Sequence, residues 1–198
     1  MDPLPADASD AALIRASLEQ PDLFTRVFDR HFVEIHAFVQ RRLGARLANR
    51  IATRTFVEAF NARAAFGDRN DDARPWLFGI AVKLVARHHR RERRRLRAYA
   101  RRGPSLLGDA TEVALERGSP RASSRELARA IARLDYESRD ALLLTEWAGL
   151  DATGVAAALN CEIAVAGRLV ADARRTVSAS ATTRTFPSHR PSTLERTG

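Results

Sequence analysis

The chain has 198 residues with one cysteine and one lysine. A lone Cys161 cannot form an internal disulfide, which fits a reducing, cytoplasmic setting. No apolar run approaches the roughly 18 residues that a membrane span needs. The start, "MDPLPADASDAAL", is acidic and lacks the charged-then-apolar order of a signal peptide. No stretch alternates apolar and polar residues with period two, so strands are not expected. There is no Ser/His/Asp or Cys/His set and no glycine-rich phosphate loop. That argues against an enzyme, and no cofactor or small-molecule substrate is implied. Arginine so outnumbers lysine, beside abundant alanine, that part of the basic count reflects GC-rich coding. Where the arginines sit therefore matters more than how many there are.

Basic residues number 33 against 24 acidic ones, giving a formal charge of +9 and a pI near 11.2. Such a balance calls for an anionic partner. Apolar residues make up 45% of the chain, enough for a core. Phe24, Phe28, Phe32, Phe38, Phe56, Phe60, Phe66, Trp76 and Phe78 fall in the first half, and the second half offers little beyond Trp147. That distribution predicts a well-packed N-terminal domain and a smaller C-terminal one.

Between glycines and prolines the apolar spacing is helical, so the fold class is all-α. A short helix is expected from Asp10 to Glu19, ended by Pro21. The next, Asp22 to Leu43, places Phe24, Val27, Phe28, His31, Ile35, Phe38, Val39 and Arg42 on one stripe, with Gly44 as its stop. A third runs from Ala48 to Ala65. After the polar loop "GDRNDDAR", Pro75 fits the first turn of a fourth helix, read as continuous from Trp76 to Arg102. Residues 103–124 are rich in Gly, Pro and Ser and read as a linker, with room for one short helix at Thr111 to Glu116. Helices at Arg125 to Leu134 and Ser138 to Ala148 follow. The tail from 179 on reads as disordered.

The segment "WLFGIAVKLVARHHRRERRRLRAYARR" sets the main functional question. Leu77, Ile80, Ala81, Leu84 and His88 share one face. Lys83, Arg87, Arg90 and Arg94 lie largely opposite. Like charges repel, so the band implies an anion against it. His88 and Glu92 sit one turn apart, but two ligands beside arginines make a poor cation site, and no metal is expected. His31 on the apolar stripe reads as core packing, and Trp76 as a core anchor more than a stacking ring.

Asp151 can cap a short helix through Leu159, and a last helix runs from Ile163 to Ser178. Two helices joined by the turn "NCE" have helix-turn-helix spacing. The second would enter the major groove with Glu162, Ala164, Gly167, Arg168 and Ala171 outward, and Arg174 and Arg175 nearer phosphates.

Two longer stretches carry a resemblance. "TFVEAFNARAAFGDRNDDARPWLFGIAVKLVARHHRRERR" resembles the core of the sigma-2 domain of bacterial RNA polymerase sigma factors. "RELARAIARLDYESRDALLLTEWAGLDATGVAAALNCEIAVAGRLVADAR" resembles the sigma-4 domain. Their order and the short chain are similar to the extracytoplasmic-function (ECF) group of the sigma-70 family. The resemblance implies an N-terminal extension over 1–21, a sigma-2-like domain over 22–98, a linker over 99–123, a sigma-4-like domain over 124–178 and a tail over 179–198. It implies docking on the polymerase core through Arg50, Ile51, Arg54, Thr55, Phe56 and Glu58. Asn70, Trp76, Lys83, Arg87, Arg90, Arg91 and Arg94 would open and hold the −10 element, and the helix-turn-helix would read the −35 element. An anti-sigma partner is a family-level expectation.

Departures accompany the likeness. Arg50 and Arg54 stand where the family usually has acids. Lys83 replaces a frequent asparagine, Gly154 a usual glutamate, and Asp135 a helix-starting proline. Ala166, Gly167, Ala171 and Asp172 make the last helix less basic than its relatives. The alternatives are a sigma-derived DNA-binding regulator without core binding and a helical adaptor for an acidic protein.

Overall fold

The computed structural model describes residues 5, 7–66, 71–102 and 121–182. Among these every regular element is helical. Helix α1 (Asp10–Ala16) starts at Ser9, whose hydroxyl accepts the Ala12 amide hydrogen at 3.3 Å. A 3-10 turn at Pro21–Leu23 leads into α2 (Phe24–Leu43). The stripe on α2 is buried through Phe24, Val27, His31, Ile35, Phe38, Val39 and Arg42, with Leu43 added, while Phe28 is half-buried. Gly44, at φ 88°, reverses the chain into α3 (Ala45–Ala62). The Arg95 guanidinium lies against Gly44, so a side chain there would meet both backbone strain and a clash.

Helix α4 (Arg74–Ala86) has Pro75 in its first turn. The single long helix expected from Trp76 to Arg102 is in fact two. The chain turns at Arg87 and His88, and α5 runs over His89–Arg102. On α5, Glu92, Leu96, Tyr99 and Ala100 face inward. Their partners lie far along the chain, so local periodicity could not signal the break. Helices α6 (Arg121–Arg133), α7 (Tyr136–Glu146), α8 (Ala152–Leu159) and α9 (Ile163–Thr182) complete the fold. The expected helix at Thr111 to Glu116 lies outside the described residues. Of the tail expected to be disordered from 179 on, residues 179–182 instead continue α9; the rest lies outside the described residues.

The two halves share one core. A continuous apolar cluster joins Leu13, Val27, Phe38, Phe56, Leu77, Phe78 and Val85 to Leu143, Leu144, Val155, Ala158 and Val170. Helix α4 packs on α8, and α5 packs on α6. At the first contact Gly79 is needed for close approach, because an added Cβ would stand 2.6 Å from the Ala158 carbonyl oxygen.

Four charged side chains are buried between the halves. Arg42 binds Glu92 through Nε at 2.5 Å and Asp140 through Nη2 at 2.5 Å. Arg139 reaches Glu92 at 3.4 Å and donates to the Ile131 and Leu134 carbonyls at 3.1 and 2.6 Å. Two cations and two anions cancel, so the cluster is tolerated without stabilising strongly. Burial pushes the Asp140 carboxyl above its ordinary value, against the pull of Arg42.

Candidate nucleic-acid interface

The cationic band is organised by the one acid within it. Glu92 is only 1% exposed, turned inward to Arg42, so it neutralises nothing on the outer surface. Lys83, Arg87, Arg90, Arg91, Arg94 and Arg97 are all exposed along α4 and α5. No exposed acid stands among these cations along α4 and α5.

At the other end of α4, Trp76 is half-buried and its ring meets Phe66 at 4.9 Å between centroids. One side serves the core while part stays accessible. Asn70 lies outside the described residues. The N-terminus of α4 has no side-chain cap from Ala73, its own capping residue. Its orphan amides are met from elsewhere: Asp10 Oδ2 accepts the Ala73 N–H at 3.1 Å, and Asp72 Oδ1 accepts the Arg74 N–H at 2.8 Å.

Asp10 belongs to a polar network that sequence reasoning missed. His31 donates from Nε2 to Asp10 and from Nδ1 to Glu34, both at 2.7 Å. Only the imidazolium can donate at both nitrogens. Although burial opposes the charge, these two carboxylates raise His31 to about 9, and Asp10, also opposed by burial, falls to about 2. Arg30 reaches Asp10 at 3.1 Å, and Arg74 reaches Glu34 at 3.0 Å. Asp10, His31 and Asp72 lie near enough to share an ion. However, both imidazole nitrogens are committed to carboxylates and two guanidiniums flank the site, so the donor set suits an ion-pair network instead. His31 is thus on the buried stripe as expected, but as a paired cation, not as apolar filling.

Helices α8 and α9 meet at 104°, within the range of a helix-turn-helix. Asp151 caps α8 by accepting the Gly154 N–H at 2.7 Å. Asn160 at φ 53° makes the turn, and the Cys161 N–H closes it on the Ala156 carbonyl at 3.0 Å. Ala166, Val170 and Ala173 are buried, while Ala164, Gly167, Arg168, Ala171, Arg174 and Arg175 on α9, and Glu162 just before it, are all exposed. Arg174 pairs with Glu146 at 2.7 Å, and Arg175 pairs with Asp172.

No family model matches the chain. Over 134 residues it is 35% identical to the ECF RNA polymerase sigma factor SigC of Mycobacterium tuberculosis, a stretch covering 68% of this chain and 70% of that one. The ECF sigma factor BldN of Streptomyces coelicolor is 31% identical over 158 residues, 74% of this chain and 57% of the relative. The chain belongs to the ECF RNA polymerase sigma factors. Solved structures agree on the fold. CnrH in complex with the cytosolic domain of CnrY superposes with a TM-score of 0.59 at 21% identity, covering 86% of this chain and 95% of that one. RpoE of Bartonella quintana, solved with the anti-sigma factor NepR, gives 0.55 at 17% identity over 81% and 98%.

In this sigma factor α3 sorts the expected core-docking residues by burial. Arg50 and Arg54 are exposed and Glu58 is partly so, while Ile51, Thr55 and Phe56 are buried. The last three face the core of the protein. Thr55 spends its hydroxyl on the Ile51 carbonyl at 2.9 Å. Beside Arg54 stands Val57, 43% exposed, which the sequence reading passed over. It borders a groove of about 370 Å³ with Phe24, Phe28, Phe56 and Phe60. The two halves are brought together: the Gly79 face of α4 lies under α8, and the Tyr136 hydroxyl donates to the Val82 carbonyl at 3.4 Å. No single helix among the described residues is long and apolar enough to cross a membrane.

Proposed function

We propose that this sigma factor divides promoter recognition among three surfaces. The α4–α5 edge, through Trp76, Lys83, Arg87, Arg90, Arg91 and Arg94, together with Asn70, takes the −10 element and holds its separated strand. The outer face of α9 reads the −35 element through Glu162, Ala164, Gly167, Arg168 and Ala171, with Arg174 and Arg175 at the backbone. The exposed residues of α3, Arg50, Arg54, Val57 and Glu58, meet the polymerase core.

The inward turn of Glu92 carries the reading of the first surface, since it leaves the edge purely cationic. Phosphates spaced ~1.7 Å apart along duplex DNA attract such an edge, and counterion release drives binding. Stacking an unpaired base gains ~1–3 kcal/mol, while extruding it costs a few. Opening is then near balance, and cations beside the bubble tip it without nucleotide hydrolysis. On this reading the protein acts by binding and not by catalysis.

Run-off transcription with purified core and a genomic fragment library tests the proposal. Defined start sites preceded by common −10 and −35 elements are expected. A chain that neither binds core nor directs initiation refutes it. One observation favours a second reading, a DNA-binding regulator that has lost core binding: Arg50 and Arg54 are exposed where relatives usually carry acids. DNA binding with no core affinity would select it. By likeness to the complexes of CnrH and RpoE, an anti-sigma partner is part of the proposal.

A further inference from the structure

The N-terminal helix does more than pack. Its first residue, Asp10, is 63 residues from Ala73, yet it accepts that residue's amide hydrogen at 3.1 Å and so caps α4 from outside. The next residue, Arg74, is gripped through Nε by Glu34 of α2 at 3.0 Å. His31 stands between the two acids and donates to each at 2.7 Å. The extension before α1 is itself tied to α2, because Arg26 donates to the Pro5 carbonyl and Arg30 to the Ala8 carbonyl, at 2.6 and 2.7 Å. Arg74 then continues to the C-terminal half, donating from Nη2 to the Ala148 carbonyl at 2.6 Å.

Building on the promoter reading of α4, we propose that Asp10, His31 and Glu34 are positioning residues for promoter opening: as a clamp from α1 and α2 they fix the start of α4 at Ala73 and Arg74, and so set how Trp76 and Lys83 meet the separated strand. None of the three lies on the basic edge. Two features separate this role from plain packing. The clamp ends on backbone and side-chain donors of the first turn of α4, two residues before Trp76. Its side-chain links are ion pairs, with Asp10 from α1, Arg30, His31 and Glu34 from α2, and Arg74 at the head of α4. Charge-assisted hydrogen bonds of this kind are short and directional, suited to orientation.

The test uses holoenzyme assembled from core and the full chain, on a promoter obtained by run-off mapping with the unaltered protein. Bubble formation is read from a 2-aminopurine placed in the −10 element. Asp10→Ala and His31→Leu are expected to lower the opened fraction about tenfold, equivalent to about 1.4 kcal/mol, while affinity for core stays within about twofold. Asp10→Asn keeps an acceptor for the Ala73 N–H and is expected to recover most of the loss. A template already unpaired across the −10 element is expected to restore transcription by every variant. Glu34→Gln, at a partly exposed position, supplies a milder variant should the buried changes unfold the chain.

Unchanged opening in Asp10→Ala, or a defect that the unpaired template does not relieve, overturns the clamp's role. An unaltered protein that is inactive on both templates instead refutes the promoter reading, and the clamp's role with it.

Discussion

Arg42 and Glu92, fifty residues apart, meet inside the protein with Nε and Oε1 at 2.5 Å. The contact ties α2 to α5, and through Asp140 and Arg139 it reaches α7. Removing one partner leaves buried charge uncompensated, which typically costs about 3–5 kcal/mol. Glu92→Ala is therefore expected to destabilise the fold by that order in urea denaturation. A loss below about 1 kcal/mol, the size of a surface pair, would contradict the burial.

Gly79 is a point of close approach between the halves. Gly79→Ala places a methyl group against the Ala158 carbonyl, a backbone atom that cannot rotate away. The expected outcome is separation of α8 from α4, seen as a larger radius of gyration by small-angle X-ray scattering with helical content retained. An unchanged radius would mean that the contact yields without parting.

Stability should fall on the alkaline side. His31 ordinarily titrates near 6.5 and is held up to about 9 by Asp10 and Glu34 despite its burial. A raised value stabilises fully below 6.5, and the gain is lost as pH rises through 9. The shift corresponds to roughly 3 kcal/mol at most, shared with Asp10 because both report one ion pair. Asp10, lowered to about 2, gives a gain present above its ordinary 3.8 and lost as pH falls through 2. Thermal melts from pH 6 to 10 should show the alkaline loss, and His31→Gln should flatten it.

Salt dependence reports on the basic edge. Each phosphate neutralised contributes about 0.9 to the slope of log affinity against log salt. Changing Lys83, Arg87, Arg90 and Arg94 to glutamine should make the slope for duplex promoter DNA shallower by about 3 to 4. Arg174→Gln should change it by less than the roughly 0.9 of one full phosphate contact, since Arg174 is already paired with Glu146.

Local pattern made much of this molecule legible. The stripe on α2, the Gly44 stop, the Asp151 cap and the sorting of α9 into inner and outer faces each depend on residues within a turn or two, and all appear in the structure. What sequence reading missed depends on distant partners. The break at Arg87 and His88 precedes a helix whose Glu92 pairs with Arg42, fifty residues away. Asp10 looked like a helix start, yet its carboxylate serves another helix. His31 sat on an apolar stripe, so its charge was invisible until both acids stood beside it. Asp135, noted only as a replacement for proline, is a local exception: it caps α7 by accepting the Ser138 N–H at 2.8 Å.

The account rests on the α4–α5 edge compensating the energy of parted base pairs. Permanganate footprinting of holoenzyme on promoter DNA, with Lys83, Arg87, Arg90 and Arg94 replaced together by glutamine, measures this directly. Loss of thymine reactivity in the −10 element with core binding retained is the predicted result. A bubble as reactive as that of the unaltered protein would contradict it.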